Sequence, residues 1–234
     1  MTTQSIEAVV GNNSMSKVFT DTSTDGQWDG NTCTDQLSSQ QLGIIMPGVT
    51  INHVQVRYTS GLCAYRIQNA ATLTFQRWGF GVPANTACYA SQAIAPYRIN
   101  PNDILTVYPL PTDDDAGQAN VAAWVQTSKG VELFSAQNVQ TGMATALTTV
   151  VNGQSLGDSM FNSTLGSIHV QVEDGASLTK LEIIDNQGGT VMTLQGGVRG
   201  TNGGAMSLEY NLKADGLAVA LGKGWALKAT ISDS

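Results

Sequence analysis

A serine in a glycine-rich loop is the residue whose setting comes nearest to that of a catalytic nucleophile. Residues 153–157 read Gly-Gln-Ser-Leu-Gly, which matches the G-x-S-x-G pattern around Ser155. That chemistry requires a strand-to-helix turn in an α/β sheet and a histidine as general base. His169 follows soon after Ser155 but falls on the outward face of a predicted strand, and His53 lies on a distant one. We therefore interpret the motif as a loop, and the chain as not an enzyme.

Two groups of aspartates are the candidate metal ligands. They are Asp21, Asp25 and Asp29 in one group, and Asp113, Asp114 and Asp115 in the other. Calcium needs six to eight oxygens in a preformed cage, and neither group has the spacing of an EF-hand loop. A glycine-rich segment at 216–224 ends in Lys223-Gly224, but its spacing differs from that of a phosphate-binding loop and favours a hairpin turn. We predict no metal and no cofactor.

The cysteines indicate neither a disulfide framework nor a zinc site. There are three, Cys33, Cys63 and Cys88, and their wide spacing is unlike that of zinc ligands. The odd count favours free thiols or one chance bridge.

Charge excludes two classes of partner. The net charge is −7, and the 11 lysines and arginines are scattered rather than clustered. A chain that follows a phosphate backbone or an anionic membrane surface needs a basic patch. We therefore expect no nucleic-acid partner and no membrane partner. The first residues lack the pattern of a signal peptide, and no apolar run is long enough to span a bilayer.

The pattern of hydrophobic residues predicts an all-β protein. Strand-like segments recur with turn signals between them, which is typical of sandwiches and barrels. Charged residues make up only 12% of the chain, so polarity comes mainly from neutral side chains. We predict an extended N-terminal arm and loop over 1–41, then two β-sandwich or jelly-roll-like units in tandem over 42–130 and 131–234. Residues 103–134 would join the two units.

Some segments are ambiguous at this stage. Residues 42–46 are interpreted as a strand, and residues 136–151 are the one stretch with possible helical character. Both halves of the chain end in a polar turn that leads into a strand, at 99–107 and 221–229. This similarity raises the question of an internal duplication, which the turns alone do not answer.

Two tryptophans are the candidate partner contacts. Trp28 lies in the polar loop of the predicted arm, where an aromatic side chain is expected to dock on another surface. Trp124 alternates with Val121, Ala123 and Val125, so its side chain is predicted to lie on the outward face of its strand.

The whole-chain profile resembles the head decoration or cement proteins of tailed bacteriophages. The features that carry the resemblance are the opening Met-Thr-Thr-Gln-Ser-Ile-Glu-Ala-Val-Val, the uncharged polar β composition, the arm with its tryptophan, and two phrases, NPNDILT at 100–106 and GWALKAT at 224–230. The resemblance implies a non-enzymatic virion protein whose partners are capsid protein subunits. It also implies a homo-oligomer, which we expect to be a trimer.

Three alternatives stay open. A carbohydrate-binding module or adhesin-type receptor-binding protein would use Trp78 or Trp124 as a stacking platform. A jelly-roll capsid shell protein is the second alternative, and an esterase built on Ser155 is the third.

Overall fold

The protein is all-β and consists of two compact units. The structure is a computed structural model that describes residues 4–23, 30–59, 61–83, 92–110, 117–173, 175–197, 200–201, 204–205 and 207–233. The first unit comprises Met1–Pro111 and the second Thr112–Ser234. The prediction of two β units in tandem is confirmed.

The first unit contains one short helix and nine strands in its described residues. The strands are β1 (Gln4–Gly11), β2 (Ser16–Ser23), β3 (Asn31–Asp35), β4 (Thr50–Tyr58), β5 (Leu62–Asn69), β6 (Phe75–Phe80), β7 (Val82–Pro83), β8 (Gln92–Arg98) and β9 (Asp103–Leu110). Helix α1 (Leu42–Ile45) precedes β4. The strand order is β6-β5-β9-β3-β2-β1-β4-β7, and β8 also pairs with β4.

The second unit repeats this plan. Its strands are β10 (Gln118–Thr127), β11 (Gly130–Gln140), β12 (Thr145–Thr149), β13 (Leu165–Val172), β14 (Ala176–Ile184), β15 (Thr190–Gln195), β16 (Gly200–Thr201), β17 (Gly204–Ala205), β18 (Ser207–Tyr210) and β19 (Ala226–Asp233). Helix α2 (Leu156–Ser159) precedes β13. The main strand order is β15-β14-β19-β12-β11-β10-β13-β18, while β16 pairs with β17.

The two strand orders are equivalent, element by element. When β10, β11, β12, β13 and β14 are set against β1, β2, β3, β4 and β5, both units have the same neighbours in the same sequence, with β19 in the place of β9. Gln4 begins β1 and Gln118 begins β10, a separation of 114 residues (118 minus 4). The same separation relates β3 to β12 and α1 to α2. The chain is therefore a structural duplication, which the sequence analysis had left open.

Each unit has its own hydrophobic core, which collects side chains from both halves of the strand order. In the second unit Ile168, Val170 and Val172 of β13 are buried together with Leu181 of β14 and Leu227 of β19. The first unit buries Val54 and Val56 of β4 with Ile67 of β5 in the same way. Two layers that share one core form a β-sandwich, and the alternation of apolar residues along β13 marks its inner face as predicted.

The predicted boundaries require correction. The described part of the predicted arm, residues 4–23 and 30–41, belongs to the first unit, because β1 pairs along its length with β2 and also with β4 inside the first sheet. The units divide after Pro111 rather than after residue 130. The turn at 128–130, interpreted as the start of a second unit, is the hairpin that joins β10 to β11. A hairpin and a domain boundary use the same turn residues, so local sequence does not distinguish them.

Two local predictions are also wrong. The segment 42–46 is not a strand, because Leu42–Ile45 form the helix α1 and Met46 is its C-cap residue. The stretch 136–151 is not helical, since it contains the end of β11 and all of β12. Residues 216–221 are largely irregular and have one isolated bridge, from Ala220 to Thr164.

Candidate functional site

A polar cleft in the second unit is the candidate functional site. One side consists of Gln126 and Thr127 at the end of β10, with Ser128 after them, and the floor is residues 164–167 at the start of β13. The other side consists of Glu209 and the segment that follows β18. The cavity has a volume of about 370 Å³, which is near the lower end of the range for small-molecule sites, roughly 300–1,000 Å³.

The cleft exists because the chain leaves the edge of β13 and returns to it. Tyr210 pairs with Ile168, and the chain then runs outward until the Leu165 N–H donates to the Val219 carbonyl at 2.9 Å. One backbone bond, from Lys213 N–H to the Gly166 carbonyl at 3.0 Å, holds the loop beside the strand. The result is an open space rather than a continuous ladder.

Hydrogen bonds within the lining fix the orientation of its two amides. The Ser167 hydroxyl donates to Gln126 Oε1 at 3.2 Å. Asn211 Oδ1 accepts from the Ala214 N–H at 3.1 Å. Because both carbonyl oxygens are engaged, each side chain presents its NH₂ group as the donor for a further partner.

The charged groups of the cleft balance one another. Glu209 and Lys213 are both exposed and carry opposite charges. His169 stands opposite Glu209 in the strand register. Burial lowers the pKa of His169, and the Glu209 carboxylate opposes that shift. The imidazole is therefore neutral near neutral pH.

The first unit has no such loop in the equivalent described segment. Thr50 and Val54 of β4 pair with Arg98 and Gln92, which leaves the five residues 93–97 between the two pairings. The equivalents 114 positions on, Thr164 and Ile168, pair with Ala220 and Tyr210, which leaves the nine residues 211–219. The second unit therefore carries four additional residues at this point.

An arginine holds the shorter segment against the first unit. Arg77 of β6 donates to the Ala95 carbonyl at 2.8 Å and to the Pro96 carbonyl at 2.9 Å, and its guanidinium lies 5.1 Å from the Tyr97 ring centroid. Arg77 stands opposite Ile67, whereas Leu194 stands opposite Leu181 at the equivalent place. The second unit thus has no guanidinium at that position to hold down its loop.

Neither predicted partner contact is confirmed. Trp124 is 1% exposed and lies between Leu133 and His169 in the strand register. Alternation predicted an outward side chain, but Ala122 and Trp124 are buried like the core-facing residues of the same strand. The prediction of an exposed Trp124 is therefore wrong. Trp28 lies outside the described residues.

Ser155 has a structural role at the start of α2. It is the N-cap residue, and its hydroxyl accepts from the Asp158 N–H at 3.2 Å and donates to Asp158 Oδ2 at 2.7 Å. This cap satisfies a backbone donor at the first turn. The G-x-S-x-G pattern arises here from a helix cap followed by a closely packed glycine.

The remaining candidate ligands do not come together within the described ranges. Asp21 lies on β2, where burial raises the pKa of its carboxyl group, while Asp25, Asp29 and Asp113–Asp115 fall outside the described residues. Cys33 and Cys63 are buried free thiols with pKa values raised mainly by burial, and Cys88 is not described. Among the described residues no three histidine, cysteine or acidic side chains are placed to hold a metal ion.

Sequence reasoning missed the cleft, although a signal for it exists. The motif Q-x-L-G-x-x-M occurs at 40–46 and again at 154–160. An alignment of the two halves on this motif would have shown where the second half contains additional residues.

Comparison with protein-family models, curated proteins and solved structures finds no match for the chain. The two helices of the described residues are four residues each, and neither is long enough to cross a membrane.

Proposed function

We propose that this chain is a non-enzymatic structural protein of a virion, a decoration or cement protein that binds and stabilises a capsid made of other subunits. The observation that carries the proposal is a duplicated β-sandwich with a surface poor in charge. Charged residues make up only 12% of the chain, and Lys180 forms an ion pair with Glu182 at 2.9 Å. A surface with few charges binds its partner mainly through buried area and backbone pairing rather than through charge.

An edge strand of the second unit offers backbone groups for such pairing. β15 stands at the end of the strand order, and its sequence, Thr-Val-Met-Thr-Leu-Gln, contains no charged residue and no proline. Edge strands are commonly protected by lysine or proline because an open edge accepts another strand. The edges of the first unit follow that rule, with Arg77 in β6 and with Pro96 and Arg98 in β8. β15 is thus the edge to which an extended segment of a capsid subunit would add.

Cosedimentation tests this proposal. The purified chain is mixed with empty shells assembled from the capsid protein encoded beside it, and we expect it to pellet with them even in high salt, since few charges contribute. Val191→Lys, on β15, is expected to weaken this binding by roughly tenfold or more. Val151→Lys makes the same change at an exposed turn and is the matched control.

Two outcomes would contradict the proposal. A chain that stays in the supernatant with all shells is not a decoration protein. A chain that forms closed shells by itself is a jelly-roll shell protein instead. The carbohydrate-binding alternative loses Trp124 as a stacking platform, because that side chain is buried.

A further inference from the structure

We propose that the cleft between the end of β10, the start of β13 and the loop 211–218 binds a neutral polyhydroxylated ligand, a sugar ring. This site is additional to the proposed structural role and does not depend on it. The duplication of the unit supports this site. Two copies of one unit share their strands and short helix, and the described part of the second copy differs at this place by four additional residues.

The lining has the donors and acceptors that sugar hydroxyls require. Each hydroxyl both donates and accepts hydrogen bonds. Glu209 supplies a carboxylate acceptor, Lys213 an ammonium donor, and Gln126 and Asn211 supply amide NH₂ donors. The amides are already oriented by their bonds to Ser167 and Ala214, so little ordering is needed when a ligand binds.

The charge balance selects against ionic ligands. One carboxylate and one ammonium leave the described lining without net charge. A phosphate or sulfate would meet the Glu209 carboxylate and only one cation, whereas anion sites gather several donors of positive charge. A nucleobase would need an apolar or aromatic face, and no aromatic side chain is part of the described lining. A neutral ligand with many hydroxyls satisfies the lining best.

The cleft, with a volume of about 370 Å³, has room for a sugar ring. Gly166 lies in the floor, and a β-carbon added there would be 3.4 Å from the Gln126 carbonyl oxygen, an ordinary contact. A large side chain at this position would therefore occupy the cleft without a severe backbone clash. This provides a variant that blocks the site and keeps the polar groups of the lining.

Nuclear magnetic resonance titration of the full chain tests the proposal. The probes are D-glucose, D-galactose, D-mannose and N-acetylglucosamine, with inorganic phosphate as the ionic comparison. We expect at least one sugar to shift the amide signals of residues 126–128, 164–167 and 209–218. The expected dissociation constant is about 1–10 mM, since the cleft is small and lacks a stacking aromatic.

Variants connect the shifts to the lining. Glu209→Gln combined with Lys213→Met is expected to weaken sugar binding by about tenfold or more, because charge-assisted hydrogen bonds are lost. Gly166→Phe is expected to abolish it. Lys223→Met, which removes a lysine from a turn outside the cleft, is the matched control and should leave binding unchanged.

Three results would overturn the proposal. The first is the absence of localised shifts with all four sugars at about 100 mM, far above the expected dissociation constant. The second is a response to phosphate alone, and the third is sugar binding that survives both cleft variants. Failure to bind shells leaves this outcome unaffected, so the two proposals fail separately.

Discussion

Gly43 and Gly157 occupy equivalent positions in the two units, 114 residues apart. Both lie where a neighbouring backbone turn leaves no space for a β-carbon. Each is the second residue of its short helix. A β-carbon at Gly43 would lie 2.5 Å from the carbonyl oxygens of Asn100 and Pro101. At Gly157 it would lie 2.2 Å from the Gly222 carbonyl oxygen and 2.4 Å from the Trp225 nitrogen. Both helices therefore pack directly on the turn before the last strand of their unit.

Alanine at either glycine should destabilise its unit. The obstructing atoms belong to the backbone and cannot rotate away, so we expect Gly43→Ala and Gly157→Ala each to lower the free energy of unfolding by about 1–3 kcal/mol, the usual cost of overpacking. Urea unfolding followed by circular dichroism measures this. Ile44→Ala changes an exposed neighbour and should cost less than either. Equal effects from all three variants would refute the close packing.

Trp124 should contribute to stability rather than to partner binding. Its side chain is the largest of the fully buried ones, and we expect Trp124→Ala to cost about 3–5 kcal/mol through the cavity it leaves. Trp124→Phe should cost less, because it keeps much of the volume. Val151→Ala, at a position that is 67% exposed, is the control in the same unfolding experiment. A Trp124→Ala protein as stable as that control would show that the side chain is not buried.

His169 should make stability depend on pH near neutrality. Burial holds its pKa in the folded protein below the ordinary value of 6.5. Well above pH 6.5 the imidazole is neutral in both states and its full contribution is present. As the pH falls below that value, the unfolded chain binds a proton that the folded one does not, so the free energy of unfolding decreases.

The measurement for His169 is the free energy of unfolding between about pH 5 and 7.5. His169→Gln should flatten the decrease, because glutamine does not titrate. His53→Gln removes the other of the two histidines and serves as the control. If His169→Gln and the unmodified chain lose stability in parallel as the pH falls, the assignment to His169 is wrong.

Ser155 should behave as a helix cap. Ser155→Ala is expected to cost about 1 kcal/mol of stability, whereas Ser155→Asn should restore most of it, because asparagine also caps well. Gln41, the equivalent N-cap residue of α1, makes no side-chain cap bond, so Gln41→Ala should have a smaller effect. The same proteins are assayed with p-nitrophenyl acetate. Turnover that is present in the unmodified chain and lost only in Ser155→Ala would revive the esterase alternative.

Much of the fold follows from local sequence. Ile168, Val170 and Val172 alternate with polar residues, and this period of two identifies both the strand and its core face. The segment Asp185–Gly188 has the composition of a short hairpin turn, and Asp185 Oδ1 accepts there from the Gln187 and Gly189 N–H groups. Such features depend only on neighbouring residues, so the chain encodes them without reference to distant partners.

The cleft and the unit boundary could not be obtained in the same way. β9 lies between β3 and β5 in the sheet. The sequence of its eight residues does not specify that these two strands are its neighbours. The loop at 211–219 has ordinary turn composition, and it becomes one side of a cleft only because β13 and the end of β10 lie beside it.

The sequence by itself determined that this protein is all-β, built as two units, and poor in charge. Composition and alternation carry that information directly. Only the tertiary structure decided that the two units share one strand order, that Trp124 is buried, and that the second unit contains a polar cleft. The physical reason is that alternation records a difference between the faces of a strand. When both faces of a strand are covered, as at Trp124, or when pairing joins residues forty positions apart, as for His169 and Glu209, the partners are specified by packing across the fold.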